Sequence, residues 1–150
     1  MTTVEIRRAT LADVPAIVTL IADDQLGSTR ESLDDLTPYA EAFTALDADP
    51  NQLLIVADRN GEVVGTFQLT FIPGLSRRGA TRAQIEAVRV APSTRGTGLG
   101  TTLINWAVDE SRRRGCSLVQ LTSDKSRTDA HRFYTNLGFT MSHEGFKLAL

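Results

Sequence analysis

Arg95-Gly96-Thr97-Gly98-Leu99-Gly100 sets three glycines at alternate positions between a strand-like segment ending at Pro92 and an amphipathic helix. Glycine reaches positive φ and lets a ligand approach main-chain N–H groups with no Cβ in the way. In front of a helix, those donors and the helix dipole form an anion site suited to phosphate, and Arg95 stands at its entrance. A tight strand-to-helix turn is the plainer use of such glycines. Three in alternation beside an arginine favour the anion site. A Walker loop is excluded, because Thr101-Thr102 follows Gly100 with no lysine. A dinucleotide fingerprint fails too, since the spacing is G-x-G-x-G and the loop arrives after about four strands rather than one.

A second reactive group is Glu86 in "AQIEAVRV". Strand alternation predicts that it shares a face with Val88 and Val90. A carboxylate there has two uses: acting as a general base, or forming a structural ion pair with Arg82 or Arg89. Other charged groups carry weaker signals. Arg112-Arg113-Arg114 complement a helix C-terminus. Arg77, Arg78 and Arg82 fall in a loop, where a solvated role is the default and an anion contact the alternative. Asp23, Asp24, Glu31, Asp34 and Asp35 either attract a cation or form a solvated face. His131 reads as a solvated side chain. Cys116 has no base placed beside it, so it is not expected to act as a nucleophile.

The elements that must hold these groups follow from pattern. "VEIRRA" is a first strand, and Thr10 with Asp13 resembles a capping box opening a helix whose Val14, Ile17, Val18 and Ile21 share a face. Thr37-Pro38 predicts the N-cap and first turn of a second helix through about Ala48. "QLLIVAD" reads as a strand covered on both faces, "RNGE" as a hairpin turn, and "EVVGTFQLTFI" as a strand with Val63, Phe67, Leu69 and Phe71 on one side. "PGLSRRGATR" is a loop before the Glu86 strand. Leu99, Leu103, Ile104, Ala107 and Val108 mark the buried side of the helix after the glycine loop, which Gly115 stops. "CSLVQLTS" is a strand, "TDAHRFYTNLG" a helix with Ala130, Phe133, Tyr134 and Leu137 at core spacing, and "FTMSHEGFKLAL" a closing hairpin turning near Glu144-Gly145. The order predicts an α/β domain, a mixed sheet with helices on its faces.

Composition bounds the rest. One domain over residues 1–150 suits the length, with 41% hydrophobic and 23% charged residues leaving no sign of disorder. A net charge of −2 gives no footing for nucleic acid. One cysteine and two histidines exclude a disulfide framework and argue against a metal site. Neither a signal-peptide core nor a membrane-length apolar run is present, so a cytoplasmic setting is expected.

Taken together, the chain resembles the GNAT family of N-acetyltransferases. The glycine loop matches that family's Q/R-x-x-G-x-G/A signature, "IEAVRVAP" looks like its cofactor strand, "AHRFYTNLGF" is similar to its A-x-x-F-Y-x-x-x-G-F motif, and "IRRATLADVPAI" to its usual start. The resemblance implies an acyl-CoA N-acyltransferase fold of about seven strands and about four helices. It implies acetyl-CoA as acetyl donor, no metal, and direct transfer to a primary amine of a small molecule in a ternary complex. The pyrophosphate would fall to the amides of Arg95, Gly96, Thr97, Gly98, Leu99 and Gly100, with Thr101 extending the helix end. The pantetheine arm would pair with the main chain of Val88 and Val90, and a strand amide would polarise the thioester carbonyl. Where the family often has an asparagine contacting the cofactor, this chain has Ser126 and Arg127. The resemblance implies Glu86 as base and Tyr134 as acid to the leaving thiolate; a core aromatic is the other use of Tyr134. Another acyl donor, a protein N-terminus or lysine as acceptor, and a non-catalytic coenzyme A sensor are the alternatives. The final "HEGFKLAL" offers an exposed strand through which a homodimer would pair.

Overall fold

Residues Val4–Arg8 form β1 at one edge of a five-stranded sheet ordered β1-β2-β3-β4-β5, with β2 at Gln52–Arg59, β3 at Glu62–Ile72, β4 at Arg82–Val90 and β5 at Leu118–Leu121. The structure is a computed structural model and describes residues 3–23 and 27–150; Asp24 of the acidic cluster lies outside the described residues. It divides into two compact units, Met1–Gln120 and Leu121–Leu150. The first four strands pair antiparallel in sequence order. The Ser117 N–H donates to the Thr81 carbonyl at 2.9 Å and Gln120 Nε2 to Gln84 Oε1 at 2.9 Å. Both partners advance together along the chain, so β5 runs parallel to β4 and the sheet is mixed, as expected.

Helices α1 (Val14–Ala22) and α3 (Thr37–Ala48) serve one face of the first unit, where Val14, Ile17, Val18 and Phe43 enclose Val56 and Ala9. Pro38 sits in the first turn of α3 as predicted, but Leu36 rather than Thr37 is its N-cap. A four-residue α2 (Gly27–Arg30) lies between them. The capping box forms within the 3-10 turn Leu11–Asp13: buried Asp13 accepts from the Thr10 N–H (2.8 Å) and hydroxyl (3.1 Å) and from the Arg7 guanidinium (2.7 and 3.0 Å). Those bonds, led by the one from Arg7, hold its carboxyl down at about 2 against the opposing effect of burial.

The other face is covered by α5 (Leu99–Arg113), whose Leu99, Leu103, Ile104 and Ala107 are buried. Gly65 of β3 lies beneath it with no room for a side chain: a Cβ there would stand 3.0 Å from Leu103 and 3.3 Å from both Leu99 and Ala57. Phe67 stacks at a tilt on Trp106, and Arg114 lies 4.2 Å over the Phe71 ring. The arginines ending α5 pair with carboxylates of the same helix, Arg113 and Arg114 with Glu110 and Arg112 with Asp109.

Two features depart from strict alternation. The Asn60-Gly61 turn forms with both residues at positive φ (53° and 88°), the pairing a tight hairpin requires. Just beyond it the β2–β3 register slips, Ala57 facing Gly65 but Asp58 facing Val63. Val64 is the extra residue, and the bulge turns Val63 to the α1–α3 side. Val63 therefore does not share the face of Phe67, Leu69 and Phe71. The second slip, in β4, bears on the site.

In the second unit, α6 (Thr128–Asn136) carries Phe133 and Tyr134, and Tyr134 meets both Phe133 and Phe139 edge-on at 5.1 and 5.9 Å between centroids. Ala130, Phe133, Tyr134 and Leu137 are half-buried, the side predicted from spacing. His131 is tied rather than merely solvated, its Nε2–H donating to the Asp124 carbonyl at 2.8 Å. The closing hairpin is not formed: residues 139–150 hold no strand, and Phe146, Leu148 and Leu150 are exposed. A lone two-stranded ribbon is marginal in water, and this segment has no strand of its own unit beyond the end of β5 to join. The sheet therefore has five strands instead of about seven, and the strand through which a homodimer was expected to pair is absent.

Candidate functional site

β4 is built in two halves. From Arg82 to Glu86 it pairs regularly with β3: Ala83 faces Phe71, Ile85 faces Leu69, and both are buried. Then Glu86 faces Gln68 while Arg89 faces Thr66, so Ala87 and Val88 together oppose the single residue Phe67. Ala87 is the hinge of this bulge, held at φ 54°, a left-handed conformation that a residue with a Cβ adopts at a cost. The bulge reverses the alternation. Val90 faces Gly65 and so belongs to the α5 side, whereas Glu86, with Gln84 and Arg89, belongs to the other. The shared face expected for Glu86, Val88 and Val90 is thus corrected: Glu86 and Val90 are on opposite faces.

The same half of β4 has an open edge. With Ser117 beside Thr81 and Gln120 bonded to Gln84, the four-residue β5 reaches its last residue near Ile85. Residues 86–90 run past its end, and Glu86 and Ala87 are exposed while Val88 to Val90 are half-buried. Val88 and Val90, expected to meet an extended ligand arm, lie in this half of β4. The Val88 carbonyl also accepts from Arg89 Nη1 at 2.9 Å.

β4 leads straight into the glycine loop. The Ala91 N–H donates to the carbonyl of the bulged Val64 at 2.7 Å, and a 3-10 turn over Pro92–Thr94 is fastened by the Thr94 hydroxyl on the Ala91 carbonyl at 2.8 Å. Gly96 and Gly98 have φ of 80° and 87°, and a Cβ on either would meet nothing within 4 Å. They are required for conformation and not for packing, unlike Gly65. Gly98 caps α5, and the first amide to bond back is that of Thr102, on the Gly98 carbonyl at 3.1 Å. Among the described residues the N–H groups of Leu99, Gly100 and Thr101 have no acceptor. These donors, at the positive end of a fifteen-residue helix, suit a phosphate, and the open space over the glycines gives it access. Arg95 lies at the loop's mouth, 3.9 Å from Asp23 in an exposed pair.

Glu86 Oε1 accepts from Gln84 Nε2 at 2.9 Å. The reading of the sequence passed over Gln84, Gln120 and Gln68; the signal was the polar alternation Gln84-x-Glu86 in an otherwise apolar strand. No sequence signal marked Ala87. In the second unit, Ser126 donates its hydroxyl (2.6 Å) and its N–H (2.9 Å) to Asp124 Oδ1, a turn that leads through Arg127, the N-cap of α6, toward Tyr134. Cys116 is half-buried, and burial pushes its thiol above the usual cysteine value, which disfavours the thiolate. Arg77 and Arg78 sit in a one-turn α4 (Ser76–Gly79), both at left-handed φ. Among the described residues no helix is long and apolar enough to cross a membrane.

Comparison with known proteins bears on this geometry. Residues 17–139 match the acetyltransferase (GNAT) family. The chain is 35% identical over 146 residues to an aminoalkylphosphonate N-acetyltransferase from Salmonella typhimurium, covering 97% of this chain and 91% of that protein. It is 38% identical over 90 residues to a glucosamine 6-phosphate N-acetyltransferase from Trypanosoma brucei brucei, covering 60% of this chain and 59% of that one. A crystal structure of a transcriptional regulator from Bacillus halodurans superposes with a TM-score of 0.95 at 45% identity, covering 99% of this chain and all of that one.

Proposed function

The chain belongs to the acetyltransferase (GNAT) family, and from that premise we propose that it moves an acetyl group from acetyl-CoA to the primary amine of a small molecule that also carries a phosphorus oxyanion. The observation that carries the donor half is the run of unbonded amides at Leu99, Gly100 and Thr101 behind glycines open to a ligand. Support for the acceptor half comes from two relatives, whose named substrates both combine an amine with a phosphonate or phosphate. Arg89, on the same strand face as Glu86, is the candidate to hold such an anion.

The amides of Arg95 to Gly100, with Thr101, hold the pyrophosphate, and the main chain of Val88 and Val90 pairs with the pantetheine arm. Ser126 and Arg127 add contacts to the cofactor. Glu86 takes a proton from the incoming ammonium, freeing the nitrogen lone pair. The nitrogen bonds to the thioester carbonyl carbon, a strand amide steadies the developing oxyanion, and the C–S bond breaks. Tyr134 gives its proton to the leaving thiolate and is reprotonated by the second proton of the nitrogen; the proton on Glu86 leaves to solvent. The products are an N-acetyl amide and free coenzyme A. The two units form one acetyltransferase domain in this reading, because the family match runs through their boundary at residue 120. The setting is cytoplasmic.

The test joins calorimetry to turnover. Acetyl-CoA should bind, binding should fall with Gly98→Glu, which sets a strained carboxylate among the phosphate donors, and thiol should appear with 2-aminoethylphosphonate. A protein that binds no CoA species overturns the reading. The regulator among the structural neighbours motivates one rival, a coenzyme A sensor. A sensor would bind acetyl-CoA yet release no thiol with any amine, and Glu86→Gln and Tyr134→Phe would leave its response intact.

A further inference from the structure

The side chains around Glu86 form a directed chain of amides. Gln84 Nε2 donates to Glu86 Oε1 at 2.9 Å, and Gln120 Nε2 donates to Gln84 Oε1 at 2.9 Å. The polarity of that chain is set at one end. An ionised carboxylate only accepts, so Gln84 must turn its NH2 to Glu86; its oxygen then faces Gln120, which must turn its own NH2 inward. The residue directly across from Glu86 is withdrawn from it. Gln68 donates instead to Gln52 Oε1 at 2.9 Å, an oxygen that also accepts from the Thr70 hydroxyl at 2.9 Å. Glu86 thus receives its amide from its own strand and not from its cross-strand neighbour.

Burial grades along the chain. Gln120 and Gln84 are half-buried and Glu86 is exposed. An exposed glutamate on its own samples many rotamers. Here the exposed end is tied, through two amides, to the parallel pairing of β4 with β5. One carboxylate oxygen is occupied by a donor and Oε2 is left to take a proton.

We infer that Gln84, braced by Gln120, is a positioning residue that orients Glu86 for proton removal from the acceptor amine. This rests on the reading of Glu86 as the base.

The experiment measures kcat/KM for 2-aminoethylphosphonate against pH in the wild type, Gln84→Glu, Gln120→Met and Glu86→Gln, with calorimetric titration of acetyl-CoA alongside. Gln84→Glu keeps an acceptor for Gln120 but cannot donate to Glu86 and adds a like charge beside it. Both changes leave Glu86 untethered and set a like charge beside it, so kcat should fall while KM for acetyl-CoA holds. At neutral pH kcat/KM should fall roughly tenfold, the scale of one hydrogen bond to a charged group. Gln120→Met should lower kcat the same way by less. Binding of acetyl-CoA should be unchanged in both, which reports that the fold is intact. If both profiles superimpose on the wild type while Glu86→Gln is inactive, the positioning role is wrong and the base assignment stands. If Glu86→Gln retains full turnover, the base assignment fails and this inference with it. Should Gln84→Glu lose acetyl-CoA binding, Gln120→Met decides alone: an unchanged kcat/KM overturns the proposal.

Discussion

Two carboxylates in the first unit occupy opposite conditions. Asp13, at the turn after β1, is buried and accepts from Arg7 twice and from the Thr10 N–H and hydroxyl. Glu86, in the middle of β4, is exposed and accepts from Gln84. Asp13 has its lone pairs filled by donors that also fix β1 to α1, and Arg7 reaches on to Asp58 at 3.1 Å. Such a group stabilises a fold and takes a proton only in strong acid. Glu86 has one oxygen steadied and the other open, which is what a base requires. Neither residue type nor distance from a helix separates the two; the number of donors does.

The sharpest way to break the contrast is Glu86→Gln. The amide keeps the size and can still meet Gln84 but cannot accept a proton. Turnover should fall by ~10²–10⁴-fold, the usual share of a general base, with the thermal midpoint shifted by no more than about 0.5 kcal/mol in stability. An equal loss of stability would mean that Glu86 is structural after all. Asp13→Ala should do the reverse. It strands Arg7 and the Thr10 amide, and should cost roughly 2–4 kcal/mol in denaturant unfolding, tempered by the partial exposure of Arg7. Activity per folded molecule should be retained.

Acid titration sharpens the same contrast. The Asp13 carboxyl is lowered from 3.8 to about 2, chiefly by the bond from Arg7. A depressed carboxylate adds stability that is complete above its unfolded value and lost as pH falls through the folded one. Unfolding free energy should therefore drop by about 2 kcal/mol between pH 4 and pH 2 on this account, at 1.36 kcal/mol per unit. Asp13→Asn should flatten that slope. A slope unchanged in the variant would show that other carboxylates carry the acid sensitivity.

What could be read from the sequence divides along similar lines. The Thr10–Asp13 box, the Asn60-Gly61 turn and the glycine loop each need only a few adjacent residues, and each formed. Bulges escaped because they are properties of pairs of strands. Val64 and Ala87 are ordinary strand residues until the registers with β2 and β3 are known, and each then flips its neighbours, Val63 in one case and Glu86 relative to Val90 in the other. The closing hairpin failed for the opposite reason: residues 139–150 have the alternation of a strand, but alternation supplies no partner. The relay to Glu86 needed both β4 and β5, and Gln120 lies 36 residues from Gln84.

Ala87 offers the smallest test, and the one that isolates backbone from side chain. It is exposed, so its methyl contributes little packing, and its φ of 54° costs an L-residue energy that glycine avoids. Ala87→Gly relieves that strain but gives the unfolded chain more freedom, an opposing term of similar size. The net change should be a gain of no more than about 1 kcal/mol. A β-branched residue at the same place separates the terms. Ala87→Val cannot adopt the left-handed conformation at small cost, so it should either destabilise by more than about 1 kcal/mol or drive the bulge out. Losing the bulge would restore strict alternation, carrying Glu86 across the sheet or shifting Val88 and Val90 off the open edge. Acetyl-CoA affinity and turnover would then fall together in Ala87→Val and stay intact in Ala87→Gly. A valine variant with unaltered binding and rate would show that the bend in β4 does not depend on the conformation of this one residue.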